Sequence, residues 1–266
     1  MDSLRRNQYL QAIGVDVWVS RRAVAVADEV AIAGAAASTA GAAAAMQEPV
    51  PSLGGGVAAA SAGPDSASRV ASPAAPTVTT WESLRAEVLT CTKCTLHTTR
   101  TQGVFGVGNR EAQWLVVGEA PGAEEDRRGE PFVGRAGHLL DAMLRAIGLN
   151  RVNNVYIANV LKSRPPGNRD PKPEEVAACL PFLMRQIELL KPRVMLAVGR
   201  IAAQNLLATD APLGRLRGKV HHFGELNTPL IVTYHPAYLL RTPSDKRKAW
   251  EDLKFARSVF RELTTT

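Results

Sequence analysis

The sequence predicts an α/β fold: a three-layer sandwich in which a central four-stranded parallel sheet is flanked by helices. Two observations indicate this fold. Four short runs are rich in Val, Ile and Leu, as buried strands are. Helical patterns separate these runs, and strands that alternate with helices form a parallel sheet covered on both faces.

The predicted elements follow in chain order. The apolar runs that predict strands are 114–118, 155–161, 194–199 and 230–234. The helical patterns cover 136–147, 173–190, 200–207 and, at the end of the chain, 245–262. In such sheets the ligand crevice lies beyond the carboxyl ends of the strands, so a site is expected among the residues that follow them.

Composition divides the chain into three parts. Residues 1–22 carry spaced apolar side chains and predict a short helical or extended segment, either a docking peptide for a protein partner or a remnant that packs on the domain. Residues 23–80 are dominated by Ala, Gly, Ser, Pro and Val and predict a disordered linker. Residues 81–266 are long enough for one well-buried domain.

Charge follows the same division. Residues 1–80 carry 5 Arg against 6 acidic residues, whereas residues 81–266 carry 27 Lys or Arg against 19 acidic residues. Such an excess attracts polyanions, among which the phosphate backbone of nucleic acid is the commonest. The alternative is a basic surface that is only solvated.

The three cysteines bear on the compartment. An odd number argues against a disulfide framework and fits a reducing cytoplasm. The Ala-rich run near residues 30–46 lacks the Leu-rich character of an export or membrane-spanning segment. We therefore expect a cytoplasmic protein without membrane association, and we expect it to be a monomer.

Polar residues stand at the ends of three predicted strands: Glu119, Asn159 and His235. Each has a plain structural alternative, namely a turn acid, a satisfied core amide and a structural histidine. An amide, however, carries the donors and acceptors that read the edge of a pyrimidine. Imidazole stabilises an oxyanion or moves a proton near neutral pH. Their place at one edge of the sheet favours a site.

A long glycine-rich loop follows the first strand. It contains Glu125 and Phe132 and opens the helix predicted at 136–147. Glycines let a flat ligand approach the backbone, and Phe132 offers a face on which such a ligand stacks.

Cys91 and Cys94 form a Cys-x-x-Cys pair, and Cys179 lies far along the chain. The pair is typical of redox or metal sites, and Cys179 is either a third ligand or core filling. Zinc and iron-sulfur sites usually use four ligands, so three cysteines are only a moderate indication of a metal.

Five longer motifs occur in a fixed order. They are Cys-Thr-Lys-Cys-Thr-Leu (91–96), Val-Val-Gly-Glu-Ala-Pro-Gly-Ala-Glu-Glu-Asp (116–126), Gly-Glu-Pro-Phe-Val-Gly-Arg-Ala-Gly (129–137), Lys-Ser-Arg-Pro-Pro-Gly-Asn-Arg-Asp-Pro (162–171) and Tyr-His-Pro-Ala-Tyr-Leu-Leu-Arg (234–241). The stretch from Cys91 to about Phe260 resembles the family 4 uracil-DNA glycosylases, the bacterial and archaeal iron-sulfur enzymes. The resemblance implies the fold of that superfamily. It also implies a hydrolase that cuts the N-glycosidic bond of uracil in DNA, releases free uracil and leaves an abasic site for base excision repair.

The resemblance also implies how uracil is held. Phe132 looks like the residue that stacks on the flipped base, and Asn159 like the one that hydrogen-bonds its edge. Glu125 resembles the acid near the base pocket, and Gly118 belongs to the same uracil-binding set.

For catalysis, His235 resembles the histidine that stabilises negative charge on uracil O2 as the bond breaks. Glu119 occupies the position of a carboxylate that supports the developing positive sugar and orients a water. Base excision needs both groups, because it passes through a cationic sugar and an anionic leaving base.

The expected partner is uracil-containing DNA, with activity at the nucleoid. Basic residues in the motifs and near residue 217 are expected to contact its phosphates. They are Lys162, Arg164, Arg169, Arg215, Arg217, Lys219 and Arg241.

The resemblance implies a 4Fe-4S cluster with one departure. Cys91, Cys94 and Cys179 match three of the family's ligand positions, and Ser163 stands where the family has its fourth cysteine. Three outcomes are open: a serine or water completes the cluster, a three-iron cluster forms, or the site is largely empty. Loss of such a cluster is expected to affect folding and DNA contacts more than chemistry.

Two rival functions remain. One is an iron-sulfur DNA-binding module of the same fold that has lost catalysis, against which the joint presence of Glu119, Phe132, Asn159 and His235 argues. The other is a nucleotide-binding enzyme with a similar sheet that does not act on DNA, for example a hydrolase of free nucleosides. The basic excess and the lack of a Gly-x-x-x-x-Gly-Lys-Ser phosphate loop disfavour it.

Overall fold

A computed structural model describes residues 79–265 of the chain. The predicted N-terminal segment, 1–22, lies outside the described residues, and so does the predicted linker except for Thr79 and Thr80. These two already belong to the folded part. Thr80 caps the first helix, because its Oγ1 accepts from the Ser83 amide at 3.1 Å while its own amide donates to Ser83 Oγ at 3.0 Å.

The sheet has six strands in the order β1-β3-β2-β4-β6-β5. The inner four, β3, β2, β4 and β6, are parallel, and the short strands β1 and β5 pair antiparallel at the two edges. The strands are β1 Val107–Gly108, β2 Trp114–Gly118, β3 Val155–Asn159, β4 Val194–Val198, β5 His221–Phe223 and β6 Thr228–Thr233.

The predicted four-stranded parallel sheet is confirmed as the centre of this sheet. The two edge strands were not predicted. They are only two and three residues long, and Val-Gly and His-His-Phe lack the apolar run that marks a strand buried on both faces.

Helices cover both faces of the sheet. They are α1 Trp81–Thr90, α2 Ala123–Arg128, α3 Arg135–Ala146, α4 Pro173–Leu190, α5 Arg200–Leu207, α6 Leu213–Leu216, α7 Pro236–Arg241 and α8 Lys246–Thr265. Single 3₁₀ turns occupy Thr95–Thr98, Pro166–Asn168 and Pro243–Asp245. Within residues 79–265 no helix is both long and apolar enough to cross a bilayer.

Alternating strand residues supply the two cores. On one face Val116 and Leu196 pack with residues of α3 and α8, and on the other Val117 and Ala197 pack with residues of α4 and α5. The central strands are therefore apolar on both sides, as their sequences predict. Helix α1 lies outside this sandwich and packs against Phe182 of α4.

The strand register aligns the carboxyl ends of the four central strands. Gly118 of β2 is level with Asn159 of β3, and Val198 of β4 is level with Thr233 of β6. The residues that follow these strands therefore meet along one edge of the sheet.

Candidate active site

A pocket of about 420 Å³ opens at this edge. Its walls include Glu119, Asn159 and His235, which come from the ends of three different strands, together with Phe132 and Glu125 from the loop after β2. Polar groups converge here from distant parts of the chain, as they do in most ligand sites.

Position 118, at the end of β2, requires glycine because two pocket residues lie against it. A Cβ on Gly118 would lie 2.4 Å from Asn159 Oδ1 and 2.6 Å from Phe132 Cζ, closer than real contacts allow. The amide of Asn159 and the ring of Phe132 therefore approach the backbone of β2 directly. Any side chain here would push one of them out of place.

The side chain of Asn159 is buried, and its Oδ1 has no hydrogen-bond partner within the described residues. An unpaired buried amide oxygen costs about 1–3 kcal/mol. Because this atom belongs to a pocket wall, a bound ligand with an N–H group would satisfy it.

Phe132 has an unusual backbone conformation. Its φ is +55°, in the left-handed region that non-glycine residues seldom adopt. Its ring is buried and lies 5.6 Å from the imidazole of His235, with 32° between the two planes. The loop therefore presents an aromatic face beside the histidine.

Glu125 holds this loop through its backbone. Its Oε1 accepts from the amides of Val133 and Gly134 at 3.0 and 3.1 Å, and its Oε2 accepts from the amide of Gly122 at 3.1 Å. The predicted uracil-binding acid thus lies in the pocket wall, and its oxygens organise the loop that carries Phe132.

His235 is the N-cap of α7. Its Nδ1 accepts from the amide of Ala237 at 3.1 Å, which places the proton of a neutral ring on Nε2. The pKa of His235 is lowered to about 4, chiefly by burial and also by nearby Arg241, while Glu125 opposes the shift. Near neutral pH the ring is therefore an uncharged donor through Nε2.

The pKa of Glu119 is shifted in the opposite direction, upward. Burial raises the pKa of Glu119 to about 7, Asp170 adds to the shift, and Arg200 opposes it. Arg200 and Asp170 form an ion pair at 2.9 Å. A carboxyl group with this pKa holds and releases a proton near neutral pH.

The basic residues predicted to contact phosphates have different environments. Arg215, Lys219 and Arg241 are exposed, and Arg241 also lines the pocket. Arg169 pairs with the buried Glu175, and Arg217 binds both carboxylate oxygens of the buried Asp252. These two cations already have partners.

Arg164 is half-buried, and its Nε donates to Asn168 Oδ1 at 2.7 Å. Its guanidinium thus helps to fold the loop after β3.

The phosphate role predicted for Lys162 is wrong. Its side chain is 1% exposed, and its Nζ donates to the Asn159 carbonyl at 2.8 Å and to Gln186 Oε1 at 2.6 Å. Burial lowers the pKa of Lys162 to about 7, against the influence of Cys179. The lysine belongs to the core beneath the pocket and is out of reach of DNA.

The cysteines and Ser163 occupy a neighbouring region. Cys94 packs against the cluster that contains the buried Cys179, and burial raises the pKa of Cys179 to about 11, with Cys94 and Cys91 adding to the shift. Within residues 79–265 no group of three or more His, Cys, Asp or Glu side chains is placed to hold a metal ion. The cluster therefore stays a prediction.

Ser163, at the fourth position, is buried, and its Oγ accepts from Arg100 Nη1 at 2.8 Å. Arg100 also donates through Nη2 to the carbonyls of Leu89 and Cys91, both at 2.9 Å. The side chains predicted to hold the cluster are thus three thiols and one hydroxyl, and the hydroxyl already has a cationic partner.

Three polar residues that line the pocket were not predicted from the sequence: Asn168, Asp170 and Tyr238. All three lie inside the motifs at 162–171 and 234–241, so the motifs themselves contain the signal. Arg200, the first residue of α5, was also not singled out, and its positive charge lowers the pKa of Glu119.

Comparison with known proteins decides the family. Residues 105–254 match the family model of the uracil DNA glycosylase superfamily, and this range contains every residue that lines the pocket. The chain belongs to the uracil DNA glycosylase superfamily. The family and the fold class predicted from the sequence are thereby confirmed.

Individual relatives extend the superfamily match. The chain is 48% identical over 174 residues to a type-4 uracil-DNA glycosylase of Archaeoglobus fulgidus, covering 63% of this chain and 87% of the relative. It is 43% identical over 185 residues to a type-4 uracil-DNA glycosylase of Thermotoga maritima, covering 68% and 95%. A third type-4 enzyme, from Pyrobaculum aerophilum, is 43% identical over 178 residues, covering 65% and 90%.

Proposed function

We propose that this chain is a uracil-DNA glycosylase, which hydrolyses the N-glycosidic bond of uracil in DNA and leaves an abasic site for base excision repair. One observation carries the proposal: Glu119, Phe132, Asn159 and His235 line a single pocket. The type-4 relatives, matched over most of their length, support it.

The pocket suits a pyrimidine that has left the DNA stack. The flipped base stacks on Phe132, and the unpartnered Oδ1 of Asn159 accepts from an N–H on the base edge. Unstacking costs a few kcal/mol and costs least for a mispaired base, which favours uracil opposite guanine.

His235 stabilises the leaving base. As the bond between C1′ of the sugar and N1 of the base breaks, the electron pair stays on uracil and negative charge develops at O2. The Nε2–H of the neutral imidazole is a hydrogen-bond donor for that oxygen. One such preorganised donor is worth about 100- to 1,000-fold in rate.

Glu119 acts on the sugar side. Its carboxylate stabilises the positive charge at C1′ and orients a water, whose oxygen forms the new bond to C1′. The water gives up one proton, and the uracil anion takes up one, so the step is balanced. Because the pKa of Glu119 is about 7, the required anion forms near neutral pH.

Exposed basic residues hold the DNA. Arg241 lines the pocket, and Arg215 and Lys219 are exposed on the same basic domain. Phosphate contacts of this kind set the position of the strand but not its sequence.

Cys91, Cys94 and Cys179 would hold an iron-sulfur cluster, with Ser163 at the position without a thiolate. A cluster here would cross-link α1, the following turn and α4, which is a structural contribution. The enzyme would work as a cytoplasmic monomer, as proposed from its cysteines and composition.

The test is excision from matched duplexes. Protein purified without oxygen is incubated with labelled duplexes that carry one uracil or one thymine opposite guanine, and abasic sites are then cleaved with alkali. Strand breaks at uracil alone support the proposal. Binding without breaks in the uracil duplex would instead identify the inactive DNA-binding module. Release of base from free deoxyuridine and not from DNA would identify a nucleoside hydrolase.

A further inference from the structure

Arg151 lies outside the pocket and yet contacts the loop that forms its aromatic wall. The residue is in the turn between α3 and β3, and its side chain is 20% exposed. Its Nη2 donates to the carbonyl of Phe132 at 2.9 Å, and its Nη1 donates to the carbonyl of Pro131 at 3.3 Å.

A second residue aims this guanidinium. Asp141 of α3 accepts through Oδ1 from Arg151 Nε at 2.9 Å and from Nη2 at 2.7 Å. Arginine suits this position because its planar fork donates in several fixed directions at once. Lysine would provide a single point donor.

The loop is thus held from two sides. Glu125 accepts hydrogen bonds from the amides of Val133 and Gly134, and Arg151 donates hydrogen bonds to the carbonyls of Pro131 and Phe132. Between these two anchors Phe132 keeps a φ of +55°, a conformation that persists only where its surroundings enforce it.

Close packing leaves the loop little room. A Cβ on Gly137, in the first turn of α3, would lie 1.9 Å from the carbonyl oxygen of Phe132. That oxygen therefore lies against the helix backbone on one side and accepts from Arg151 on another. Removing the guanidinium would leave the carbonyl of Phe132 without this donor and the left-handed conformation with one of its two anchors.

We propose that Arg151, oriented by Asp141, is a positioning residue that holds Phe132 in its left-handed conformation and so fixes the face on which the flipped base stacks. The proposal rests on the proposed function for the identity of the ligand. Arg151 does not line the pocket, so it acts through Phe132.

The first test is Arg151→Met, which keeps much of the side chain's volume and removes every donor. A misplacement of about 1 Å costs about 100-fold in rate, so we expect kcat/KM for uracil in DNA to fall about 100-fold. Inhibition by free uracil should weaken by about tenfold, because stacking contributes to its binding. Arg151→Lys should recover only part of either loss.

Arg145→Met is the matched control, because Arg145 is an exposed arginine of α3 that has no part in these contacts. It should leave kcat/KM and uracil inhibition unchanged. If Arg151→Met lowers only the melting temperature, as the loss of a partly buried ion pair does, and leaves both constants unchanged, the proposal is wrong.

Hydrogen exchange separates this proposal from the proposed function. The amides of Val133 and Gly134 should exchange faster in Arg151→Met than in Arg145→Met, whether or not the protein excises uracil. Faster exchange in a protein that releases no uracil would support the positioning role of Arg151 and contradict the proposed substrate. Unchanged exchange in an active enzyme would overturn the positioning role alone.

Discussion

The pocket and the cysteine region lie next to each other and differ in completeness. The pocket joins a carboxyl group, an amide, an aromatic ring and an imidazole, each in an environment that fits its proposed task. In the cysteine region Cys94 packs against the cluster that contains Cys179, Cys91 packs against a different cluster, and the Ser163 hydroxyl accepts from Arg100. One region has every group that its proposed function requires, and the other lacks a thiolate.

Different features of the fold bring the residues of each region together. The pocket residues follow β2, β3 and β6, so the register of the parallel sheet brings them together whatever happens elsewhere. The cysteines come from the turn after α1 and from α4, which no strand pairing aligns. We therefore expect substitutions at the cysteines to leave the chemistry of the pocket unchanged.

The largest expected effect is at His235. His235→Ala removes the donor to uracil O2 and should lower kcat by about 100- to 1,000-fold. DNA affinity should hardly change, because the phosphates are contacted elsewhere. Single-turnover rates and a binding titration measure the two effects. His222→Ala, at an exposed histidine of β5, is the matched control, and equal rates in the two variants would remove His235 from the mechanism.

The pH dependence should reflect Glu119. Its pKa is raised to about 7 and the carboxylate is the active form, so kcat/KM should rise with pH and level off above about 7. Below that value it should fall by about tenfold per pH unit. With a pKa of about 4, His235 adds no falling limb on the alkaline side. A profile with no rise between pH 5 and 8 would contradict the assignment.

Neighbouring charges provide a sharper version of this test. Asp170 raises the pKa of Glu119 and Arg200 lowers it, although the two side chains pair with each other. Asp170→Asn should therefore move the midpoint of the profile to lower pH, and Arg200→Met should move it to higher pH. Shifts in the same direction would show that another group controls the profile.

A smaller effect is expected at the cysteine region. Ser163→Cys supplies the missing thiolate and should raise the iron content per chain. We also expect the free energy of unfolding to rise by about 1 kcal/mol, which corresponds to a rise of about 2–4 °C in Tm. Ser258→Cys adds a thiol at an exposed position of α8 and should change neither quantity. Equal iron content in the two variants would place Ser163 away from the cluster.

The sequence was sufficient to predict the central sheet and the residues Glu119, Phe132, Asn159 and His235, which meet in the pocket. Strands β2, β3, β4 and β6 are apolar runs, and Glu119, Asn159 and His235 stand at or just after the ends of β2, β3 and β6. The sequence did not indicate which partners the individual side chains contact. Lys162 resembles any basic residue of a DNA-binding motif, and only its contacts with Asn159 and Gln186 reveal a buried group.

Long-range contacts explain the other omissions. Arg151 lies 19 positions from Phe132 along the chain, in a turn with no motif of its own, and its role depends on the turn folding back onto the loop. The left-handed conformation of Phe132 likewise has no sequence signal, because glycine usually occupies such positions.

The most direct test of the account compares single-turnover uracil excision by iron-loaded and iron-depleted protein, normalised to the fraction that binds DNA. Because Glu119 and His235 are proposed to carry the chemistry, we expect the same rate constant for both preparations and a lower Tm for the depleted one. A depleted protein that binds DNA normally but excises uracil much more slowly would contradict it, because the cysteine region would then be part of the active site.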